Sequence, residues 1–526
     1  ELSATVLSVH HAVTGFVKNI SDEIILHDGD SKKNWMKHFL HLVLALFVAG
    51  TLAHAQPEPT PPPAAASTMT GNGFTDAAGF GFSPDANGAD NTKALQRAVD
   101  LGGTIMVSKP GVYKIAGTVY LGSETSLIFG NGVFLKKVAE QGAFSHVLLN
   151  KGALTKTYDE HITVEGLQII VNGVDVRTFN DVYGLHGQLA FFYVKDLRIE
   201  HFRCLDLGHA QYGIQVCTFE DLIINDVIIK GQKDGVHLGR GKRFTISNGI
   251  FQTGDDAVAL NAHDYAVGNP ELGWIEDGLV ENCHDLPDPS QRSGFFSRIL
   301  AGAWLDWQPG MEVQQSDTVV SDGRLYRVQA EPDGTKYKSM TQPTHASGSK
   351  TLDGINWGVV QTNVTYSAGV RNVTFRDIFL EKPRIGFAIH FDNDKFSRSY
   401  YPGAKVPMQE QIVFDNIRVL YDQKSDFLLI GTPVDAVTIL NSSFRNNSIH
   451  FHGNEAMPDY LPTQVNLIGC VFRQAGAMDL LVNSVTNKVI ALKTSASVEV
   501  SDHFSARVIS GGGNIAVDSD LTGLRK

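Results

Sequence analysis

Cysteine is scarce in this sequence, and positive charge is outweighed. Cys204, Cys217, Cys283 and Cys470 are the four cysteines among 526 residues, and none stands in a CxxC. That excludes a disulfide framework and a thiolate metal site, and leaves burial as small apolar residues. Lys and Arg number 44 against 56 Asp and Glu, a formal net charge of -12. Nothing electrostatic therefore draws the chain to nucleic acid or to an anionic membrane. Long apolar runs are also lacking. The stretch Phe39 to Ala53 is shorter than the ~18 residues of a spanning helix and contains His41, so no membrane span is expected in the mature chain.

What is present favours strands. The 51 glycines and a normal aromatic content suit many short strands joined by tight turns, and 43% hydrophobic residues can fill a large core. Met36-Lys37-His38, the apolar stretch after it and Ala53-His54-Ala55 have the layout of a secretory signal (36–55) cleaved near Ala55. Residues 1–35 then lie upstream of the natural precursor, and the Pro/Ala-rich residues 56–73 form a stiff linker.

From about Phe74 a repeat governs the chain. Apolar residues recur at positions 1, 3, 6 and 8 in Leu127-Phe129-Gly132-Phe134, Ile162-Val164-Leu167-Ile169, Leu197-Ile199-Phe202-Cys204, Leu222-Ile224-Val227-Ile229 and Phe244-Ile246-Gly249-Phe251. They return in Val373-Phe375-Ile378-Leu380, Ile412-Phe414-Ile417-Val419, Val437-Ile439-Ser442-Phe444 and Val465-Leu467-Cys470-Phe472. Each copy reads as two strands meeting at a corner. The tightest spacing, from Leu222 to Phe244, is one coil of a solenoid, and wider spacings are loops pushed out between coils. One long break separates Phe244 from Val373. That is the signature of an all-β, right-handed parallel β-helix, its two parts covering 74–303 and 363–526. A capping helix is expected from Asn91-Thr92, with Ala94, Leu95, Ala98 and Leu101 on its apolar side and a strand at Thr104 to Val107 after it.

The Asp90-Asn91-Thr92-Lys93-Ala94-Leu95 segment, with Gly102-Gly103-Thr104 and Pro110-Gly111-Val112-Tyr113, resembles the opening of pectate-lyase-like β-helix proteins. Residues 304–362 interrupt the repeat as an inserted small β-module that holds Trp304, Trp307 and Trp357. It resembles small chitin-binding-like carbohydrate-binding modules, in which aromatics stack on sugars. Equally, Trp307, Tyr326 and Trp357 could be the module's own core.

The chemistry lies at Lys233-Asp234-Gly235 and Gly254-Asp255-Asp256. Asp234 precedes Asp255 by the length of one rung, so the solenoid is expected to set the two side by side on one wall. Neighbouring carboxylates cannot all ionise easily, and the resulting split in pKa supplies the acid and the base that glycosidic cleavage needs. A lone Asp-Gly is ordinarily a turn cap, and clustered acids also suit calcium. No cation cage is evident, so neither metal nor cofactor is expected. His237, His263, Asp264, His390, Asp392 and Asp394 lie just past strands of the same wall and read as a polar groove for substrate.

Gln232-Lys233-Asp234-Gly235 followed by Gly254-Asp255-Asp256-Ala257-Val258 resembles the polygalacturonase family, the family 28 glycoside hydrolases. That resemblance implies an inverting single displacement, with Asp255 as general acid and Asp234 with Asp256 activating water. It also shows two departures. The family's Gly-His-Gly is matched by Ser293-Gly294-Phe295-Phe296-Ser297-Arg298-Ile299, without histidine, so that Arg298 is expected in the cleft instead, and its Arg-Ile-Lys is matched by Ala388-Ile389-His390. A neutral or methylated sugar is therefore expected in place of bare polygalacturonate. The expected protein is a secreted monomeric glycosidase acting on a polysaccharide or oligosaccharide. A lyase or epimerase, or a non-catalytic carbohydrate-binding β-helix, is the alternative.

Overall fold

The computed structural model describes residues 73–517 except 177–181, 288–293, 331–332, 394–397, 453–462, 473–475, 485–488, 495–498, 501–503 and 511–513. The expected signal and upstream segment, nearly all of the linker, and Asp394 lie outside the described residues. Among those described, no helix is long and apolar enough to cross a membrane.

Each described strand of the solenoid pairs in parallel with one a rung away. Leu197, Leu222, Phe244, Gly278, Val373, Ile412, Val437 and Val465 form a single ladder. The chain is thus a parallel β-helix, and the inward residues of successive rungs make one continuous core. Side chains on one face stack about 4.8 Å apart, so each rung is stable only against its neighbours. The corner between the two strands of a rung is a left-handed residue. His201, Asp226, Asn248, Asn282, Asp377, Asn416 and Asn441, with Gly166 and Gly469, have φ between +49° and +73°. Asn, Asp and Gly tolerate that region best, which is why they recur at position 5. Their side chains also link rungs, as Asn282 Nδ2 does in donating to Asn248 Oδ1 at 2.6 Å.

Three expectations need correction. The capping helix begins earlier, at Gly88, and runs to Val99, with the Asn87 side chain accepting from the Asp90 N–H. Asn91 is buried inside the helix and exchanges hydrogen bonds with the Ser83 backbone, while Leu101 lies past the helix end, 64% exposed. In the copy that begins at Leu127, Val133 and Leu135 point inward, not Gly132 and Phe134, because the corner there is one residue longer. Most consequentially, the long break between Phe244 and Val373 hides a rung, Ile275–Asp285, carrying Gly278, Val280, Cys283 and Asp285 at the four positions.

That rung escaped the pattern because its neighbours fill its space. A Cβ on Gly278 would lie 2.1 Å from Cζ of Phe244. Gly278→Ala is therefore expected to cost about 1–3 kcal/mol through overpacking, measured by urea unfolding. The same substitution at Gly79, where nothing lies within 4 Å, is the control for the loss of glycine.

Between the hidden rung and Val373, strands Leu305–Asp306, Thr318–Ser321, Arg324–Val328, Ser349–Leu352 and Ile355–Gln361 form a separate five-stranded sheet. Its two faces bury different things. Val319, Tyr326, Val328, Ile355 and Trp357 fill the module's own core, whereas Val320, Leu325 and Val360 join the solenoid core. Tyr326 and Trp357 are fully buried and Trp307 is partly buried, its Nε1 donating to Ser339 Oγ at 2.8 Å. Tyr326 and Trp357 therefore have no face open to a sugar. The four cysteines are buried and unpaired.

Candidate active site

The three aspartates converge, but in a register different from the one counted on the sequence. Val236 pairs with Val258 and His237 with Ala259, and the Gly235 N–H donates to the Asp256 carbonyl. Carried back along the two strands, that register sets Asp234 level with Asp256 and Lys233 level with Asp255. Lys233 Nζ accordingly pairs with Asp255 and lies 3.8 Å from Asp234 Oδ1. One carboxylate oxygen from each of Asp234, Asp255 and Asp256 lies within 4.8 Å of the others.

Surroundings make these acids unequal. Asp234 and Asp256 are buried, whereas the Asp255 side chain is 31% exposed. Burial, with the charges of Asp255 and Asp234 nearby, pushes the Asp256 carboxyl up to about 8. Its Oδ1 accepts from the Phe295 N–H at 2.8 Å. Burial raises Asp255 too, but the Lys233 ammonium, aided by Arg298 and Arg384, outweighs it and holds the carboxyl below its ordinary value. Asp234 is raised by burial and by Asp255.

His237 stands behind Asp234. Its Nδ1 is 2.8 Å from Asp234 Oδ2 and its Nε2 3.2 Å from Asp264 Oδ2. Burial alone would neutralise the ring, yet the two carboxylates lift its pKa to about 9 and hold it as an imidazolium. Tyr212 stacks on it at 4.2 Å, and His186 stacks on Tyr212 at 5.1 Å.

Asp234, His237, Asp255, Asp256, Asp264, Arg298 and Asp392 all line one cleft of about 870 Å³. Arg298 falls two strands beyond His237 in the same ladder, next to Ala388, and its guanidinium pairs with Asp392. His390 reaches this group through Asp392, 3.3 Å from its Nε2. His263 does not join the cleft lining. It is buried against Trp304 and beneath Gly302, and burial pushes its pKa down to about 3. Sequence reasoning gave Lys233 no role of its own and passed over Tyr212, Tyr265 and the module residues Gln315, Gln329 and Asn356, all of which line the cleft with it. Lys233 was legible in principle, since it and Asp255 are separated by the same step that pairs Val236 with Val258.

Fold and site together define a parallel β-helix with an acid-lined cleft on its wall. No family model and no curated protein matches the chain. Solved structures do. The A-module of mannuronan C-5 epimerase AlgE4 from Azotobacter vinelandii is 11% identical over 84% of this chain and all of its own, with a TM-score of 0.49. A family 28 exopolygalacturonase of Yersinia enterocolitica is 13% identical over 85% of this chain and 78% of its own, at 0.42. A tailspike protein of E. coli bacteriophage HK620 is 10% identical over 85% and 80%, at 0.44. At such scores the likenesses carry no argument about chemistry, which rests on the site's own atoms.

Proposed function

We propose that the protein is a secreted, monomeric glycoside hydrolase that cleaves a neutral or esterified polysaccharide or oligosaccharide. The observation that supports this best is the split within the three aspartates: at neutral pH Asp256 keeps its proton while Asp255, beside Lys233, is charged. Hydrolysis of a glycoside needs such a pair, one group to protonate the leaving oxygen and one to activate water. In this reading Asp256 is the acid, and the half-buried Asp255 is the base, with Asp234 shaping the charge around both. It departs from the family resemblance, which gives the acid's role to Asp255, because an ammonium in contact with a carboxylate favours the form that cannot donate a proton.

The charge balance of the cleft supports a neutral substrate. Lys233, His237 and Arg298 each already face a carboxylate, and the lining keeps an excess of acid. A polyanionic chain would meet repulsion. A lyase or epimerase would find no Lys or Arg among the described lining residues that is not already paired with a carboxylate. Reducing-end release across a glycan panel tests this. Release from a neutral or methylated glycan, and none from bare polygalacturonate, is expected. Products absorbing in the ultraviolet would mark a lyase instead, and binding without release would mark a non-catalytic protein.

A further inference from the structure

The inserted module is built into the cleft wall. Arg327, fully buried and carried by the module, donates to the carbonyls of Asn269 at 2.6 Å, Ala266 at 3.1 Å and Asp264 at 3.4 Å. It thereby holds the turn that carries Asp264, the partner of His237. Ser316 Oγ accepts from the Ala266 N–H at 2.8 Å, and Gln361 Oε1 from the Leu272 N–H at 3.0 Å. A module attached this firmly presents its edge to the cleft in one orientation.

That edge carries two amides. The Gln329 N–H donates to the Asn356 carbonyl at 2.9 Å, setting Gln329, just past the strand Arg324–Val328, beside Asn356 of the strand Ile355–Gln361. Ser349 Oγ donates to Gln329 Oε1 at 2.6 Å, and Asn356 Nδ2 lies 3.4 Å from the same oxygen. The pair is thus oriented before any ligand arrives. Tyr183 lines the same cleft and is 42% exposed, though Val182 and Leu185 on either side of it are buried. The Leu185 N–H donates to the Val182 carbonyl, closing a tight turn around it. Gly184, at φ +92°, brings this turn against the Asn269 backbone, where a Cβ would come within 2.8 Å. Asn269 is the residue that Arg327 grips. Aromatic residue and amides are therefore tied to one rigid turn.

We propose that Tyr183, Gln329 and Asn356 form a second sugar subsite, beside the one over the three aspartates. An exposed ring offers its face to the apolar C–H face of a pyranose, and fixed amides offer donors and acceptors to neutral hydroxyls. The subsite takes a neutral sugar unit of the same chain, and the inference rests on the carbohydrate reading of the cleft given above.

The test is calorimetry on Asp256→Asn protein with neutral gluco-, galacto-, manno- and rhamno-oligosaccharides, from monosaccharide to hexasaccharide. Affinity is expected to rise as the chain lengthens beyond one sugar. Tyr183→Ala, and separately Gln329→Ala with Asn356→Ala, should each remove that gain, about tenfold. Because Tyr183 is exposed, its variant is the one that disturbs folding least. A gain that survives in both variants, or no gain with length, overturns the subsite. Hydrolysis of the same sugars by the unmodified protein is scored separately. A length-dependent gain without hydrolysis would refute the hydrolase and leave the subsite standing.

Discussion

Asp256→Asn is expected to lower sugar release from a natural glycan by about 10³-fold, and to lower release from a glycoside with a dinitrophenyl leaving group far less. An amide cannot donate the proton that an alkoxide needs, whereas a dinitrophenolate leaves without one. Asp255→Asn should harm both substrates alike, since both need an activated water. If the dinitrophenyl glycoside is spared in Asp255→Asn instead, the acid is Asp255 and the assignment of the pair reverses. The pH profile gives a second readout. An acid with a pKa of about 8 sets the alkaline limb of the rate, and Asp255, held below its ordinary value, sets the acidic limb. Stability follows from the same shift. The folded protein keeps the Asp256 proton up to about 8, while the unfolded chain loses it near 3.8, so folded stability falls as pH rises between those values. Asp256→Asn should therefore be more stable than the parent at pH near 8, by thermal melting.

Arg384→Met is expected to cost about 3–5 kcal/mol in urea unfolding, the range found when one partner of a buried ion pair is removed. The Arg384 and Asp285 side chains are 3% and 1% exposed. Arg384 Nη2 lies 2.8 Å from Asp285 Oδ1, and its Nε 3.1 Å from Oδ2. Nη1 also donates to the Asp255 carbonyl at 2.7 Å, so the pair steadies the backbone that presents the aspartates. Replacing Arg384 by Met together with Asp285 by Leu removes both charges, and most of the loss should be recovered. If the double variant is as unstable as the single one, the arginine acts through packing or through the Asp255 carbonyl, not through Asp285.

These two sites mark where sequence reading worked and where it stopped. The repeat was legible because eight of the nine matched copies, from Ile162 and Leu197 onward, place their apolar residues at inward positions that the solenoid buries wherever side chains are described. The rung at Gly278 and Asp285 was not, because glycine there makes room for Phe244 and the aspartate is neutralised by Arg384, far along the chain. A hydrophobic pattern cannot report a space filled from a neighbouring rung. The acids at Asp234, Asp255 and Asp256 were found by their spacing and Arg298 by the segment that stands for Gly-His-Gly; His237, expected past a strand, stands within Val236–Leu238, whereas Asp392 does lie just past Phe387–His390. His263 fits the same rule and is buried elsewhere, since the rule cannot tell a residue facing the cleft from one turned into the packing beside Trp304.

By itself the sequence determined that this chain is a β-helix with three clustered carboxylates, because both follow from a period, and a period is written in one dimension. Only the tertiary structure decided which residues face each other across that period. Counting along the chain set Asp234 beside Asp255. The register that pairs Val236 with Val258 instead puts Lys233 against Asp255 and Asp234 level with Asp256. One residue of register changes which carboxylate meets the ammonium, and so where the proton rests. That choice is made by hydrogen bonds between strands, such as that from the Gly235 N–H to the Asp256 carbonyl, and not by any local run of residues.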